Sequence, residues 1–230
     1  MNKYYAVADI HGMYKLWRQV IEYLDESDTL YILGDCADRG PDGWKIIKEA
    51  LTDPRVIYIR GNHDQMLIDT VRNPWDYEST ALWYYNGGGI TNDDMLFDPD
   101  YKIYAAQLAK TRHSACYHNA NGQIIHLTHA GYTLHEDDKM PWNEDLLWDR
   151  EHIADTKWPE FKENEFIVHG HTPIISSYWK SLNIEVDKTN PKIIRYCNNH
   201  KICIDLGAFF TNTTVILDLD TLSPIYIKGD

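Results

Sequence analysis

The order in which strands and helices alternate, with polar residues gathered where each strand ends, constrains this sequence most strongly. "KYYAV" reads as a strand, and after it Met13, Leu16, Trp17, Val20, Ile21 and Leu24 recur at the spacing of one helix face. "TLYIL" is a second strand, "WKIIKEAL" a short amphipathic helix, "VIYI" a third strand, and "QMLIDTV" begins another helix. A β-α-β-α-β-α order buries the apolar helix faces against a sheet of parallel strands, so the expectation is an α/β fold.

The rest of the chain continues this pattern after an interruption. Residues from about Asn73 to Arg112 are aromatic and helical in character, are broken by "WYYNGGG", and read as a helical cap insertion. From Gly122 onward strand-like runs return as "QIIHLT", "EFIVH", "KICID", "TTVILDL" and "PIYIK", with the turn-rich acidic segment "HEDDKMPWNED" between the first two. At 230 residues, with 43% hydrophobic and 25% charged residues, the chain suits one folded domain spanning 1–230 rather than a disordered or repetitive one.

Charge narrows the partners. With 22 basic against 35 acidic residues the formal net charge is −13, which repels a polyanion over most of the surface and argues against broad nucleic-acid binding. A small phosphorylated group is compatible only where local cations or metals reverse the sign inside one cleft. The start of the chain has neither an apolar signal core nor a membrane-spanning length, and Cys36, Cys116, Cys197 and Cys203 contain no Cys-x-x-Cys pair. A reduced, cytoplasmic protein without a membrane partner is expected, with a Cys197–Cys203 disulfide left open and the oligomeric state undetermined.

Polar clusters follow the carboxyl ends of five strands: "ADIHG", "GDCADRG", "RGNHD", "THAG" and "VHGHT". Open α/β sheets bind ligands in the crevice outside those ends, so five distant segments can converge there. A strand-end aspartate taken alone is ordinarily a helix cap, and a lone histidine a satisfied core or surface group. Here Asp9 and His11, Asp35 and Asp38, Asn62 and His63, His129, and His169 and His171 all obey one positional rule. Carboxylates gathered in one place repel unless cations compensate them, and mixed carboxylate, amide and imidazole donors suit divalent first-row metals. Arg39, Arg60 and Arg150 stand beside these clusters, and a guanidinium fork grips phosphate.

With these motifs assembled, the chain resembles the metallophosphoesterase superfamily and, within it, the phosphoprotein phosphatases. "ADIHG" is similar to Gly-Asp-x-His-Gly, "GDCADRG" to Gly-Asp-x-x-Asp-Arg-Gly and "RGNHD" to Arg-Gly-Asn-His-Glu; "NGGG", "HAGY", "LLWDRE" and "GHTP" extend the likeness to lambda-type phosphatases and their bacterial relatives. The resemblance implies a calcineurin-like fold of two mixed β-sheets packed as a sandwich, flanked by helices, with the helical cap inserted. It implies one divalent ion on Asp9, His11 and Asp35 and a second on Asp35, Asn62, His129 and His171, with manganese leading and iron, zinc or nickel as alternatives. It makes His63 the general acid, oriented by Asp38, and Arg39, Arg60 and Arg150 the phosphate grip. Ala8, Ala37 and Asp64 depart from the family pattern at positions that hold no metal. His169 has no counterpart, and stays open as a supporting group, a surface histidine or a rival to His171.

The function this implies is hydrolysis of phosphoserine or phosphothreonine in proteins by direct attack of a water on phosphorus, with a dinucleoside polyphosphate hydrolase or another small-molecule phosphoesterase as the alternative. Cys36 lies within a metal motif but lacks the phosphate-cradling loop of a cysteine nucleophile. A binding module with a degenerate site is the reading from a different class, disfavoured by the full set of matched ligands. In the cap, Trp75, Trp83, Tyr84 and Tyr85 either select substrate or pack the cap onto the core.

Overall fold

Side chains that alternate along the strands build two apolar layers, one on each face of the first sheet. A computed structural model of the chain describes residues 2–132, 143–154 and 162–229. Its first half contains β1 (Tyr4–Val7), α1 (Tyr14–Tyr23), β2 (Thr29–Leu33), α2 (Gly43–Thr52), β3 (Val56–Ile59) and α3 (Asn62–Arg72). The cap region holds α4 (Tyr77–Tyr85), α5 (Gly89–Leu96) and α6 (Tyr101–Leu108). Then come β4 (Ser114–His118), β5 (Ile124–Thr128), α7 (Asn143–Trp148), α8 (Glu151–Ala154), β6 (Glu165–His169), α9 (Tyr178–Ser181), β7 (Ile194–Tyr196), β8 (Lys201–Cys203), α10 (Ala208–Thr211), β9 (Thr213–Asp218) and β10 (Pro224–Lys228).

The strands form two mixed five-stranded sheets in the orders β10-β9-β1-β2-β3 and β4-β5-β6-β8-β7. As the alternation requires, β1, β2 and β3 run parallel, and so do β5, β6 and β8, while β9, β10, β4 and β7 pair antiparallel. Tyr5, Val7, Leu30 and Ile32 face outward onto Leu16, Trp17 and Val20 of α1 and Ile46 and Ile47 of α2. The intervening Ala6, Ala8, Tyr31 and Leu33 face Ile125, Leu127, Val168 and Ile202 of the second sheet. This is the expected sandwich flanked by helices. Ala8 also explains itself: a Cβ on Gly170 would lie only 2.8 Å from that of Ala8, so small residues are needed where β1 and the β6 loop meet.

Two strands escaped the pattern reading. β4 carries polar and apolar residues of mixed exposure, and β7 has three residues; both are sheet edges, where one-sided pairing imposes little hydrophobic periodicity. The cap splits the aromatic alternatives: Trp83 is fully buried, whereas Trp75, Tyr84 and Tyr85 are exposed. No disulfide joins the four cysteines, which closes the Cys197–Cys203 question. Most of the acidic segment "HEDDKMPWNED" lies outside the described residues. Among the described residues no helix is long and apolar enough to cross a membrane.

Candidate active site

Short loops after β1 and β2 run side by side and lock each other. Asp9 N–H donates to Gly34 O (3.2 Å), His11 N–H to Asp35 O (3.0 Å) and Gly12 N–H to Cys36 O (2.9 Å). Asp9, His11, Asp35, Asp38, Arg39 and His171 all adopt positive φ, from 45° to 69°. Each such non-glycine residue costs on the order of 1–2 kcal/mol and persists only where its surroundings over-determine it. The backbone turns sharply after each strand and aims these side chains inward. Gly61 and Gly170 let the next loops close in: a side chain at either would strike the carboxylate of Asp35 or Asp9.

Asp35 stands at the centre of two clusters of potential metal-binding atoms, one with His129 and His171 and one with His11 and His63. In the first, His129 Nδ1 lies 2.8 Å from the carbonyl of Leu33, which can only accept, so Nε2 bears the lone pair. That Nε2 is 2.9 Å from Asn62 Oδ1, 3.1 Å from His171 Nδ1 and 3.4 Å from Asp35 Oδ2, and Asn62 Oδ1 is 3.0 Å from His171 Nδ1. One proton on His171 Nδ1 could bridge one of these approaches and would leave the others as facing lone pairs. A divalent cation would satisfy all four donors at once, so the set fits a metal.

The second cluster is built the same way. His11 Nδ1 donates to Ala37 O (2.8 Å), which turns Nε2 inward, 3.8 Å from Asp35 Oδ2. Burial holds His11, His129 and His171 below the ordinary imidazole pKa, which keeps the rings neutral, and the Arg39 charge adds to this at His11. Asp9 accepts the His171 amide on both carboxylate oxygens (3.2 and 3.0 Å) and lies outside both clusters. Burial, then the charges of Asp205 and Asp35, push its pKa well up. Burial likewise raises Asp205 to about 7. Such crowding of carboxylates is what a bound cation would relieve.

His63 stands beside Asp35 in the first turn of α3, its Nδ1–H donating to Asp38 Oδ2 (2.7 Å). The indole N–H of Trp83 donates to the same oxygen (2.9 Å), and the Asp38 amide donates to Thr91 Oγ1 (2.8 Å). The cap therefore positions the His63–Asp38 pair, a tie the sequence reading did not find. Burial would lower the His63 pKa, but Asp35 and Asp38 outweigh it and carry it above the ordinary value. Arg39 donates to His11 Nε2 (2.6 Å) and to His63 Nε2 (3.0 Å) with its two terminal nitrogens, so in this structure it occupies the lone pairs of both rings and must move off them before His11 holds a metal or His63 carries a proton on Nε2. Arg150 is exposed at its surface, yet partial desolvation of the guanidinium holds its pKa below the ordinary value, with the carboxylates of Asp9, Asp205 and Asp35 acting in the opposite sense.

Four other residues, Arg60, His169, Asp64 and Cys36, were left open by the motifs or lie differently from what they suggested. Arg60 is buried, and its guanidinium donates to Gln65 Oε1 (2.7 Å), Ala109 O (2.8 Å) and Thr111 O (3.0 Å), so it clamps the end of the cap to α3 instead of facing a phosphate. His169 is buried, with Nδ1 donating to Gly170 O (3.0 Å) and Nε2 accepting from Tyr196 (2.8 Å), which leaves His171 as the member of the cluster. Asp64 accepts the amides of Gly61 (2.9 Å) and Asp35 (3.1 Å) and the Tyr58 hydroxyl (3.0 Å), a bracket between the second and third motifs. Cys36 is buried, and desolvation pushes its thiol well above the usual range, the opposite of an activated nucleophile. Asp205 was missed, although it follows β8 as the other polar clusters follow their strands.

Two measurements follow from this geometry. Arg60→Met should lower unfolding stability by about 2 kcal/mol, because it strips buried carbonyls of a charged donor, and leave KM for p-nitrophenyl phosphate within about twofold. A raised KM at unchanged stability would return Arg60 to the phosphate. His129→Phe should remove about one equivalent of bound divalent metal in elemental analysis; full metal content in that variant would exclude His129 as a ligand.

Comparison with known proteins supports the same chemistry. Serine/threonine-protein phosphatase 1 of Salmonella typhimurium is 25% identical over 177 residues, covering 74% of this chain and 78% of that protein. A symmetrical bis(5′-nucleosyl)-tetraphosphatase of Buchnera aphidicola is 44% identical over 69 residues, but this match spans only 28% of the chain and 25% of the relative. A solved structure described as a candidate diadenosine tetraphosphatase superposes with a TM-score of 0.66 at 18% identity, covering 100% of this chain and 94% of the other, a likeness of fold. The profile of the calcineurin-like phosphoesterases matches residues 3–204, and the chain belongs to that metallophosphoesterase family.

Proposed function

We propose that this metallophosphoesterase removes phosphate from phosphoserine or phosphothreonine in proteins. The observation that carries the reading is the buried His63–Asp38 pair, held by the cap and set against two clusters that share Asp35. A proton donor beside a phosphate seat matters most when the leaving oxygen is a poor leaving group, such as a serine alkoxide. The Salmonella protein phosphatase, aligned over most of its own length, supports the same substrate class.

In this reading Asp35, Asn62, His129 and His171 hold one divalent ion, and His11 and Asp35, with Asp9 beside them, the other, manganese being the first candidate. When bound, the two ions would lower the pKa of the attacking water and neutralise phosphoryl charge. Arg39 and Arg150 orient the phosphoryl oxygens. Once Arg39 has turned from His63 Nε2 to the phosphoryl oxygens, that nitrogen can carry a proton and deliver it to the departing oxygen, while Asp38, fixed by Trp83, holds the ring with Nδ1 turned away from substrate. We also assign the protein to the cytoplasm, in keeping with four cysteines that form no disulfide. Hydrolysis of dinucleoside tetraphosphates is the second reading, favoured by the Buchnera match over the motif-bearing segment.

His63→Asn should lower kcat for a phosphoserine peptide by about 10²–10³-fold and that for p-nitrophenyl phosphate by about tenfold or less, since nitrophenolate leaves without a proton. Equal losses on both substrates with unchanged metal content would show that His63 stabilises phosphoryl charge and donates no proton.

A further inference from the structure

Beside the proposed phosphate seat, α3, α4 and α7 enclose a cavity of about 410 Å³. Met66, Leu82 and Trp148 give it an apolar lining, while Gln65, Asp69 and Glu144 supply polar groups; among the described residues the lining contains two carboxylates and no basic residue. The cavity adjoins the catalytic groups on both sides. His63 and Asp69 lie on the same helix, and their separation amounts to about 9 Å of helical rise. The Trp148 ring is 6.3 Å from that of His171, and Trp148 precedes Arg150 by two positions.

Hydrogen bonds fix the wall. Gln65 donates to Asp69 Oδ1 (2.8 Å) and accepts from Arg60 (2.7 Å), whose remaining terminal nitrogen is taken by the carbonyls of Ala109 and Thr111. Arg60 is therefore held behind Gln65, and the face open to a ligand is acidic and apolar. Long cationic side chains match this surface: their methylene stems lie on apolar groups while the charged head meets carboxylates, and a tryptophan face attracts the cation. A nucleobase could stack on Trp148, but it would bring a polyphosphate next to Asp69 and Glu144 in a chain of formal net charge −13. At about 3.3–3.6 Å per residue of extended peptide, the helical separation corresponds to about two or three residues.

We propose that this cavity is a subsite for a lysine or arginine side chain of the substrate, about two or three residues from the phosphorylated one. The inference rests on the reading of the chain as a protein phosphatase. Its test uses the metal-loaded full chain and matched phosphoserine peptides that carry lysine or alanine at these positions. The quantity read is the ratio of kcat/KM for the lysine peptide to that for the alanine peptide, so a general loss of activity cancels. The expected ratio is about tenfold for the unaltered protein at low salt, falling to within about twofold in the Asp69→Asn, Glu144→Gln double variant through a rise in KM. An unaltered ratio in the variant, or a ratio of one in the parent protein while both peptides are hydrolysed, would overturn the subsite. A variant that loses diadenosine tetraphosphate turnover more than peptide preference would assign the cavity to a nucleobase and overturn it likewise. Turnover of the dinucleotide with none of either peptide would instead remove the protein-phosphatase reading beneath the proposal.

Discussion

Everything at the catalytic edge turns on one buried carboxylate, Asp35, and on the need to bring lone pairs together around it. Its Oδ1 accepts the His63 amide (3.0 Å) while its Oδ2 faces His11, His63 and His129. The neutral rings of His129 and His171, the Asn62 amide oxygen and the Asp35 carboxylate do not stabilise one another in this arrangement, since acceptors facing acceptors repel. The arrangement is therefore one that the fold must impose, and that a cation would make favourable.

The imposition comes from outside the site. Six residues with positive φ carry local strain, and the backbone bonds between the first two motif loops, the Asp64 bracket and the glycines that admit Asp9 and Asp35 hold them in place. Behind them lie two apolar layers, with Tyr5 and Val7 packed on the helices and Ala6 and Ala8 packed on the second sheet. The cap adds a further constraint. Through Trp83 and Thr91 it fixes Asp38, which fixes His63, and Arg60 secures the far end of the cap to α3. Aromatic residues of the cap thus act in two ways: Trp83 positions the site, while Trp75 and Tyr85 remain exposed.

Much of this was legible in the residues because strands and polar clusters follow strict periodicities. β2, β3, β6 and β10 begin and end where "TLYIL", "VIYI", "EFIVH" and "PIYIK" do, and the clusters stand at the carboxyl ends of β1, β2, β3, β5 and β6. What escaped has physical reasons. β4 and β7 are sheet edges without a clean alternation. Asp205 was absorbed into the strand-like run "KICID", although β8 stops at Cys203 and the aspartate falls in the same position as the other site residues. For Arg60, adjacency to a motif says nothing of direction: its side chain turns to the carbonyls of Ala109 and Thr111, some fifty residues away in the chain. The Trp83–Asp38 bond spans a comparable distance, and only the folded cap reveals it.

The claim at the centre of the account is that Asp35 is shared by two cations. Anomalous-scattering crystallography of the manganese-loaded protein at the manganese edge tests it directly. The account predicts two peaks about 3.5–4 Å apart with Asp35 between them, one also against Asn62, His129 and His171 and the other against His11. A single peak, or fully occupied peaks elsewhere with none at Asp35, would contradict it.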